Sequence, residues 1–185
     1  MFNYVEVYND VVSDSKCKEL IDRFESDTKC HEIQNNGNET TLTQINLLNS
    51  SNTIWKDDAN FLVNVIMEHV EKYKKDCDIK SFQWPDKFGI EPLKIKRYLP
   101  DTTDMFPDHV DVLDYKTARR FLIMFLYLNN NEGGQTIIKP KDDMFVSFCK
   151  RGSLLIFPPF WPWIHSGEKP VNIPKYIVGT YLHYV

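Results

Sequence analysis

The second half of the chain is divided into short β-prone segments by proline, glycine and aspartate, and this division restricts the folds open to it. Beyond Phe82 the segments are, in chain order, LKIKRYL, RFLIMFLYL, GQTIIKP, MFVSFCK, GSLLIF and KYIVGTYLHYV. No crossover helix alternates with them, as a parallel sheet would require. The pattern therefore predicts an antiparallel sandwich or barrel.

Two amphipathic helices are predicted before these strands. The stretch from Ser13 to Ser26 repeats apolar residues at helical spacing, and Ser13 or Asp14 can cap its first turn. A longer helix is predicted within residues 53–78, where apolar residues recur in the same way. Between them, Thr41 to Ser50 is short and β-prone. We therefore expect an α+β fold with the helices first.

Composition excludes several classes of protein. With 185 residues, 42% of them hydrophobic, the chain has the size of one compact domain. The net charge is -4 and no basic block appears, which argues against nucleic acid as the main partner. The sequence contains neither an apolar run of about 18 residues nor an N-terminal signal pattern. The four cysteines are scattered, so we expect a cytoplasmic protein with reduced thiols and no membrane partner.

His109 and Asp111 form the first candidate site. Residues i and i+2 at a strand end point to the same side, so this pair can bind one ion. Non-haem Fe(II) oxygenases use two histidines and one carboxylate, and leave the remaining positions open. Of the other histidines, His165 at the end of the GSLLIF strand region is the best candidate for the third ligand. A solvated loop pair is the alternative for His109 and Asp111.

Lys175 is the second candidate. It opens the strand KYIVGTYLHYV, in which alternate residues on both faces are mostly apolar. A lysine buried in such a strand needs an anion, because an unpaired buried charge is costly. The alternative is that Lys175 lies at the strand start and its ammonium reaches water.

Together, these residues resemble the prolyl 4-hydroxylase-type Fe(II)/2-oxoglutarate dioxygenases. The matching motifs are RY at 97–98, HVD at 109–111, YLNNNEGGQT at 127–136, KRGSLLIFPP at 150–159, HSG at 165–167 and KYIVGTYLHY at 175–184. The N-terminal VYNDVVSDSKCKELIDRFES is also similar to the opening strand and helix of that family. The resemblance spans most of the chain and is strongest from Tyr98 onward.

The resemblance implies a double-stranded β-helix, or jelly roll, in one domain of residues 1–185. Helical support would occupy about 13–80, and the jelly-roll core about 82–185. It implies Fe(II) held by the His-Asp-His set, with O2 and 2-oxoglutarate as co-substrates and ascorbate as a candidate reductant. The distal carboxylate of 2-oxoglutarate would pair with Lys175 and Tyr127, Tyr98 would line the co-substrate pocket, and Tyr181 would lie beside the metal. Taken singly, Tyr127 and Tyr98 are more commonly explained as core aromatics.

The implied reaction is hydroxylation of a substrate. Peptidyl proline is the leading substrate, so a peptide or protein is the expected partner. Arg120 matches a peptide-contacting arginine of the family, although an ordinary surface arginine is the alternative. Phe106 stands where a substrate-binding tyrosine is common, which puts the proline substrate in doubt. The alternatives are the same chemistry on a free amino acid or another side chain, and a non-catalytic jelly-roll binding module. The oligomeric state cannot be inferred from the sequence.

Overall fold

A computed structural model describes residues 4–35, 41–49 and 53–185 and shows two helices packed on a β-sandwich. Helix α1 spans Asp14–Ser26, and helix α2 spans Lys56–Asp76 after one 3-10 turn. The Ser13 hydroxyl accepts a hydrogen bond from the Lys16 backbone N–H at 3.3 Å, which caps α1. The predictions of both helices and of the Ser13 cap are confirmed.

Twelve strands are formed by the described residues. They are β1 (Glu6–Tyr8), β2 (Glu32–Asn35), β3 (Thr41–Asn46), β4 (Phe88–Ile90), β5 (Lys94–Tyr98), β6 (Phe106–His109), β7 (Arg120–Tyr127), β8 (Thr136–Ile138), β9 (Phe145–Ser147), β10 (Leu154–Phe157), β11 (His165–Gly167) and β12 (Lys175–Tyr184). Each of the six predicted segments contains one of them. The segment predicted from Thr41 to Ser50 forms β3, and Ser50 lies outside the described residues.

The strands form two antiparallel sheets, as the sequence predicted. The major sheet has the order β1-β10-β7-β12-β5-β3-β2, with β4 also paired to β12. The minor sheet has the order β6-β11-β8-β9. Strands β2 and β3 fall within the region expected to give helical support, so residues 13–80 contribute to the sheet as well. The architecture is an α+β jelly roll.

The two faces of the major sheet are buried in different ways. One face packs on α1 and α2 in a helix-side core, which includes Leu20, Phe24, Leu62, Ile66, Met124, Leu126, Val178 and Leu182. The other face meets the minor sheet in an inter-sheet core, which includes Leu42, Tyr98, Ile123, Tyr127, Ile138, Leu155, Phe157 and Ile177. Alternate residues of β12 belong to the two cores, because successive side chains of a strand point to opposite faces.

No helix among the described residues is both long and apolar enough to cross a membrane.

Candidate metal centre and co-substrate cavity

The pairing of β6 with β11 brings two histidines together. His109 ends β6, His165 begins β11, and the two stand directly opposite each other with ring centroids 4.3 Å apart. Asp111 follows β6 by two residues; its Oδ1 lies 3.6 Å from His109 Nε2 and its Oδ2 3.2 Å from His165 Nε2. One ligand atom from each residue lies within 4.8 Å of the other two. The three side chains could therefore hold one metal ion.

Backbone carbonyls fix the tautomers of both histidines. His109 Nδ1 lies 2.7 Å from the Pro107 carbonyl oxygen, and His165 Nδ1 lies 3.0 Å from that of Trp163. Because a carbonyl only accepts a hydrogen bond, each Nδ1 must carry the hydrogen. In the neutral rings each Nε2 then carries a lone pair directed towards Asp111, which is how protein scaffolds prepare histidines to bind a metal.

Two atoms of this cluster are left without partners. Asp111 Oδ2 and His165 Nε2 are buried, and neither makes a hydrogen bond to any described residue. A carboxylate oxygen and an imidazole lone pair 3.2 Å apart repel each other unless they share a cation. Two imidazole nitrogens and one carboxylate oxygen form the donor set that non-haem Fe(II) sites use. The residues present therefore fit Fe(II).

The electrostatics of the cluster keep its carboxylate ionised. Burial would raise the pKa of Asp111, but the neighbouring His109 and His165 hold that pKa far below its usual range. Burial likewise opposes a charge on His109, yet Asp111 raises the pKa of this histidine above its ordinary value. Asp111 thus attracts a cation, and protons compete with a metal for the site in acid.

Tyr181 and Arg120 hold the carboxylate in place. The Tyr181 hydroxyl donates a hydrogen bond of 2.9 Å to Asp111 Oδ1, which leaves Oδ2 as the free oxygen. The Arg120 guanidinium lies 4.1 Å from the centroid of the Tyr181 ring and donates to the Asp111 carbonyl oxygen at 3.2 Å. Its Nε and one terminal nitrogen pair with the Glu91 carboxylate at 2.9 Å each. Most of the Arg120 donors are therefore already in use.

Lys175 lies at the far end of the same cavity from Tyr181 along β12. It is only 3% exposed, and its ammonium makes no salt bridge with a carboxylate of the described residues, although the charge of Glu168 acts on it. Its Nζ lies 5.2 Å from the Tyr98 ring centroid and 5.8 Å from that of Tyr127. Burial lowers the pKa of Lys175 to about 8. A buried ammonium of this kind is prepared to bind an anion.

A glycine makes room for this lysine. Gly134 has a φ of +69°, and a Cβ added there would lie 2.8 Å from Lys175 Cδ. Glycine adopts this positive φ without strain, so the position favours glycine for its backbone as well as for the space it leaves. Beneath the lysine, the Tyr127 hydroxyl lies 2.8 Å from Thr136 Oγ1 and 3.2 Å from Ser147 Oγ. Of these three residues Thr136 lines the cavity, so its hydroxyl can donate to a carboxylate, and the other two lie behind it.

One cavity of 480 Å³ connects the metal cluster with Lys175. Its volume is within the usual range for a small-molecule site. The predicted site residues that line it are Tyr98, Phe106, His109, Asp111, Arg120, His165, Lys175 and Tyr181. Tyr127, the remaining predicted residue, is fully buried in the inter-sheet core below Lys175.

Several cavity residues were missed by the sequence reasoning. They are Gln34, Glu91, Lys94, Lys96 and Thr136. Strand alternation could have found two of them, because Lys94 and Lys96 precede Tyr98 by four and two residues and share its face. Burial lowers the pKa of Lys96 to about 8, although attraction to Asp111 opposes the change. With a pKa of about 8, Lys96 is still mostly in the ammonium form at neutral pH.

The sequence profile of the 2OG-Fe(II) oxygenase superfamily matches residues 93–183, which contain all three candidate metal ligands and Lys175. No curated protein matches the chain.

The fold is similar to that of solved prolyl hydroxylases. The viral collagen prolyl hydroxylase of Paramecium Bursaria Chlorella virus-1, solved as a 2-oxoglutarate complex, matches with a TM-score of 0.67 and 16% identity, over 100% of this chain and 97% of that chain. A prolyl hydroxylase from Trichoplax adhaerens, in complex with a peptide of hypoxia inducible factor, matches with a TM-score of 0.71 and 13% identity, over 98% of this chain and 84% of that chain. A prolyl-4-hydroxylase from Pseudomonas putida matches with a TM-score of 0.68 and 13% identity, over 100% of this chain and 94% of that chain.

The profile match, the jelly roll and the His-Asp-His cluster together support a prolyl hydroxylase-like 2OG-Fe(II) oxygenase. The chain is a 2-oxoglutarate-dependent dioxygenase, whose reaction uses Fe(II), 2-oxoglutarate and O2. The hypothesis of an enzyme is therefore confirmed in preference to that of a non-catalytic binding module.

Proposed function

We propose that this dioxygenase hydroxylates peptidyl proline, with Fe(II) held by His109, Asp111 and His165 and 2-oxoglutarate held at Lys175. The proposal extends the superfamily assignment to a ligand set and a substrate. The similarity of fold to three prolyl hydroxylases supports the substrate class, although identities of 13–16% bear on the fold alone.

The observation that carries the proposal is the unpaired ammonium of Lys175 in the same cavity as the unpaired atoms of the metal cluster. A dicarboxylate co-substrate fits this arrangement, because one carboxylate can bind the metal held by the cluster while the other pairs with the Lys175 ammonium. Tyr127 donates a hydrogen bond to Thr136, and the Thr136 hydroxyl, which lines the cavity, can donate to the second carboxylate. Tyr98 forms the wall against which the lysine packs.

The residues of this chain have separate tasks in the reaction. Fe(II), when bound, supplies the redox chemistry that couples the oxidation of 2-oxoglutarate by O2, which gives succinate and CO2, to hydroxylation of the substrate. The carbonyl-held histidines present Nε2, and Tyr181 holds Asp111 Oδ1 so that Oδ2 stays free. Phe125, Ile177 and the buried Phe157 provide apolar surroundings that limit water near the site.

A second candidate substrate, a free amino acid or another small carboxylate, is favoured by the state of the peptide-binding residues. Arg120 spends most of its donors on Glu91 and on the Asp111 carbonyl. Phe106 lacks the hydroxyl of the tyrosine that is common at its position. Both features reduce the hydrogen bonding available to a peptide backbone, and Arg120 could reach a peptide only through its remaining N–H groups.

Calorimetric titration of 2-oxoglutarate into Mn(II)-loaded protein tests the co-substrate site. The Lys175→Met substitution should weaken 2-oxoglutarate binding by about 30-fold or more, because a charge-assisted bond to a carboxylate contributes about 2–3 kcal/mol. Lys116→Met, at an exposed lysine, serves as the matched control and should bind normally. Equal affinities in the two variants would place the carboxylate elsewhere.

Mass spectrometry of proline-rich peptides tests the substrate. If the proposal is correct, a peptide should gain one oxygen atom on proline and raise succinate formation above the uncoupled rate. Arg120→Ala should then reduce peptide use much more than uncoupled turnover of 2-oxoglutarate. Uncoupled turnover without oxygen gain on any proline peptide would leave the dioxygenase assignment intact and remove proline from it.

A further inference from the structure

The cavity contains a second lysine, Lys96, which is separate from the residues proposed to bind the co-substrate. Lys96 lies on β5 opposite Ile177 of β12, two residues before Tyr98 and on the same face. Its Nζ lies 5.8 Å from the centroid of the Phe106 ring, which itself packs against His109 at 5.3 Å. The ammonium is therefore near the metal cluster, two positions along the strand register from Lys175.

Lys96 lies inside the sheet, beside a glycine of the neighbouring strand β12. A Cβ added to Gly179 would lie 4.0 Å from Lys96 Cε and 3.2 Å from the ring of Phe125. The neighbours of β5 in the sheet are β12 and β3, so Lys96 does not lie at a sheet edge, where a lysine ordinarily reaches bulk water. The partly exposed side chain lines the cavity instead.

Lys96 makes no hydrogen bond or salt bridge with any residue in the described ranges. The cavity carboxylates are directed elsewhere: Glu91 pairs with Arg120, and Asp111 faces Tyr181 and the two histidines of the metal cluster. An unpaired charge in a partly desolvated wall destabilises the fold. Such a residue is expected where a ligand supplies the missing partner.

The charge of the loaded site indicates which ligand that is. Fe(II), ionised Asp111, protonated Lys175 and the doubly charged 2-oxoglutarate together have no net charge. Arg120 and Glu91 also neutralise each other. The positive charge of Lys96 remains after the co-substrate has bound, and Lys94 on the same face adds a second. The substrate is the one component left that can supply an anion.

We propose that Lys96 binds a carboxylate of the substrate, so that the enzyme selects substrates with an acidic group close to the hydroxylated carbon. The inference rests on the proposed function, since it takes Lys175 as the partner of 2-oxoglutarate. The carboxylate can belong to a free amino acid or peptide C-terminus, or to an acidic side chain next to the reacting residue. Lys96 is then a specificity residue that is separate from the metal ligands.

Pairs of acids and amides distinguish these sources. Calorimetry on protein loaded with Mn(II) and saturated with 2-oxoglutarate would compare N-acetyl-L-proline with N-acetyl-L-prolinamide. It would also compare C-terminally amidated peptides that carry aspartate or asparagine beside proline. The same comparison with N-acetyl derivatives and amides of other amino acids covers substrates without proline. At least one acid should bind about tenfold or more tightly than its amide partner.

Substitutions at Lys96 connect that preference to the residue. In Lys96→Met the preference should fall to near unity, and Lys96→Arg should retain part of it. The affinity for 2-oxoglutarate should stay within about twofold of that of the unmodified protein. Lys116→Met should behave as the unmodified protein in every titration. Thermal unfolding of Lys96→Met should occur at the same or a higher temperature, because an unpaired charge has been removed.

Two results would overturn the proposal. One is the absence of any preference for acid over amide across the panel. The other is a loss of 2-oxoglutarate affinity in Lys96→Met as large as in Lys175→Met, which would make Lys96 a co-substrate ligand. Failure of the unmodified protein to bind Mn(II) and 2-oxoglutarate would instead refute the proposed function on which the inference rests.

Discussion

The two faces of strand β12 differ in what they bury. Tyr176, Val178 and Leu182 pack against the helices in the helix-side core, where apolar groups meet apolar groups. Lys175 and Tyr181, on the opposite face, line the cavity with an unpaired ammonium and a hydroxyl bound to the metal cluster. One face of the strand is thus satisfied within the protein, whereas the other is complete only with ligands.

This difference separates stability from chemistry within one element. The helix-side core removes large apolar side chains from water, which is the main stabilising contribution in a domain of this size. The cavity face retains unpaired polar groups, which cost stability and are kept where they serve a ligand. Changes on the helix side should therefore reduce stability, and changes on the cavity side should reduce binding.

The largest effect is expected from the metal cluster. Substitution of His109 or Asp111 by alanine should abolish metal binding and 2-oxoglutarate turnover, because only two ligands of three remain. The unfolding temperature of the metal-free protein should change little, since neither side chain belongs to a hydrophobic core. Metal titration and thermal unfolding measure the two quantities. Asp86→Ala, at an exposed aspartate, is the control, and unchanged iron affinity in either site variant would contradict the metal assignment.

The helix side should give the opposite result. Leu182 is fully buried, and Leu182→Ala should lower the free energy of unfolding by about 2–5 kcal/mol through lost burial and the cavity left behind. Metal affinity of the folded fraction should be unchanged. Denaturant titration checks the first effect. Leu113→Ala, at a leucine that is 79% exposed, should change stability by no more than about 0.5 kcal/mol. A similar loss in both variants would break the comparison between the faces.

Sequence periodicity was sufficient to predict the faces of β12, because strand alternation is a local property that follows from backbone geometry. The approach of His109 to Asp111 was predicted for the same reason, and His165 by elimination among few histidines. The resemblance to a family added that the order and spacing of these motifs along the chain match those of known dioxygenases. For the faces of β12 and for His109 with Asp111, a short stretch of chain carries the whole signal.

Contacts between distant strands could not be predicted in the same way. Arg120 pairs with Glu91, 29 residues away, and nothing in either local sequence specifies this partner. Lys96 lies in a strand of alternating lysine and isoleucine that is equally typical of a solvent-exposed edge; only its place between β12 and β3 puts it in the cavity. Strands of three or four residues, such as β4 and β11, are too short for a periodic pattern.

The pH dependence of co-substrate binding tests the cavity face of β12 through Lys175. The pKa of Lys175 is about 8 in the ligand-free protein because the side chain is buried. The bound carboxylate requires the ammonium form, so 2-oxoglutarate affinity should be constant below pH 8 and fall up to about tenfold per pH unit above it. Calorimetry between pH 7 and 9.5 tests this, with Lys175→Met as a variant of weak and pH-independent affinity. Undiminished affinity at pH 9.5 in the unmodified protein would contradict the assignment.

The same lysine has the opposite effect on folding. The lowered pKa means that the unfolded chain, in which the ordinary value of 10.5 applies, binds more protons than the folded protein between about pH 8 and 10.5. The contribution of Lys175 to the free energy of unfolding should therefore rise with pH in that window. A Lys175→Met variant should lack this contribution, and the difference between the two stability curves isolates it from other titrating groups.

The smallest effect is expected at Tyr181, where the cavity face is already satisfied from within. Its hydroxyl holds Asp111 Oδ1, and burial together with the Asp111 charge keeps the pKa of Tyr181 well above its usual range, so it remains a donor at all working pH values. Tyr181→Phe keeps the ring beneath Arg120 and removes only that hydrogen bond, so metal affinity should fall about tenfold, as it does when an outer partner of a ligand is lost. Tyr184→Phe, at the half-exposed end of the same strand, should leave metal affinity unchanged. A loss as complete as that of Asp111→Ala would mean that Tyr181 itself binds the metal; no loss would mean that Arg120 and the backbone alone position the carboxylate.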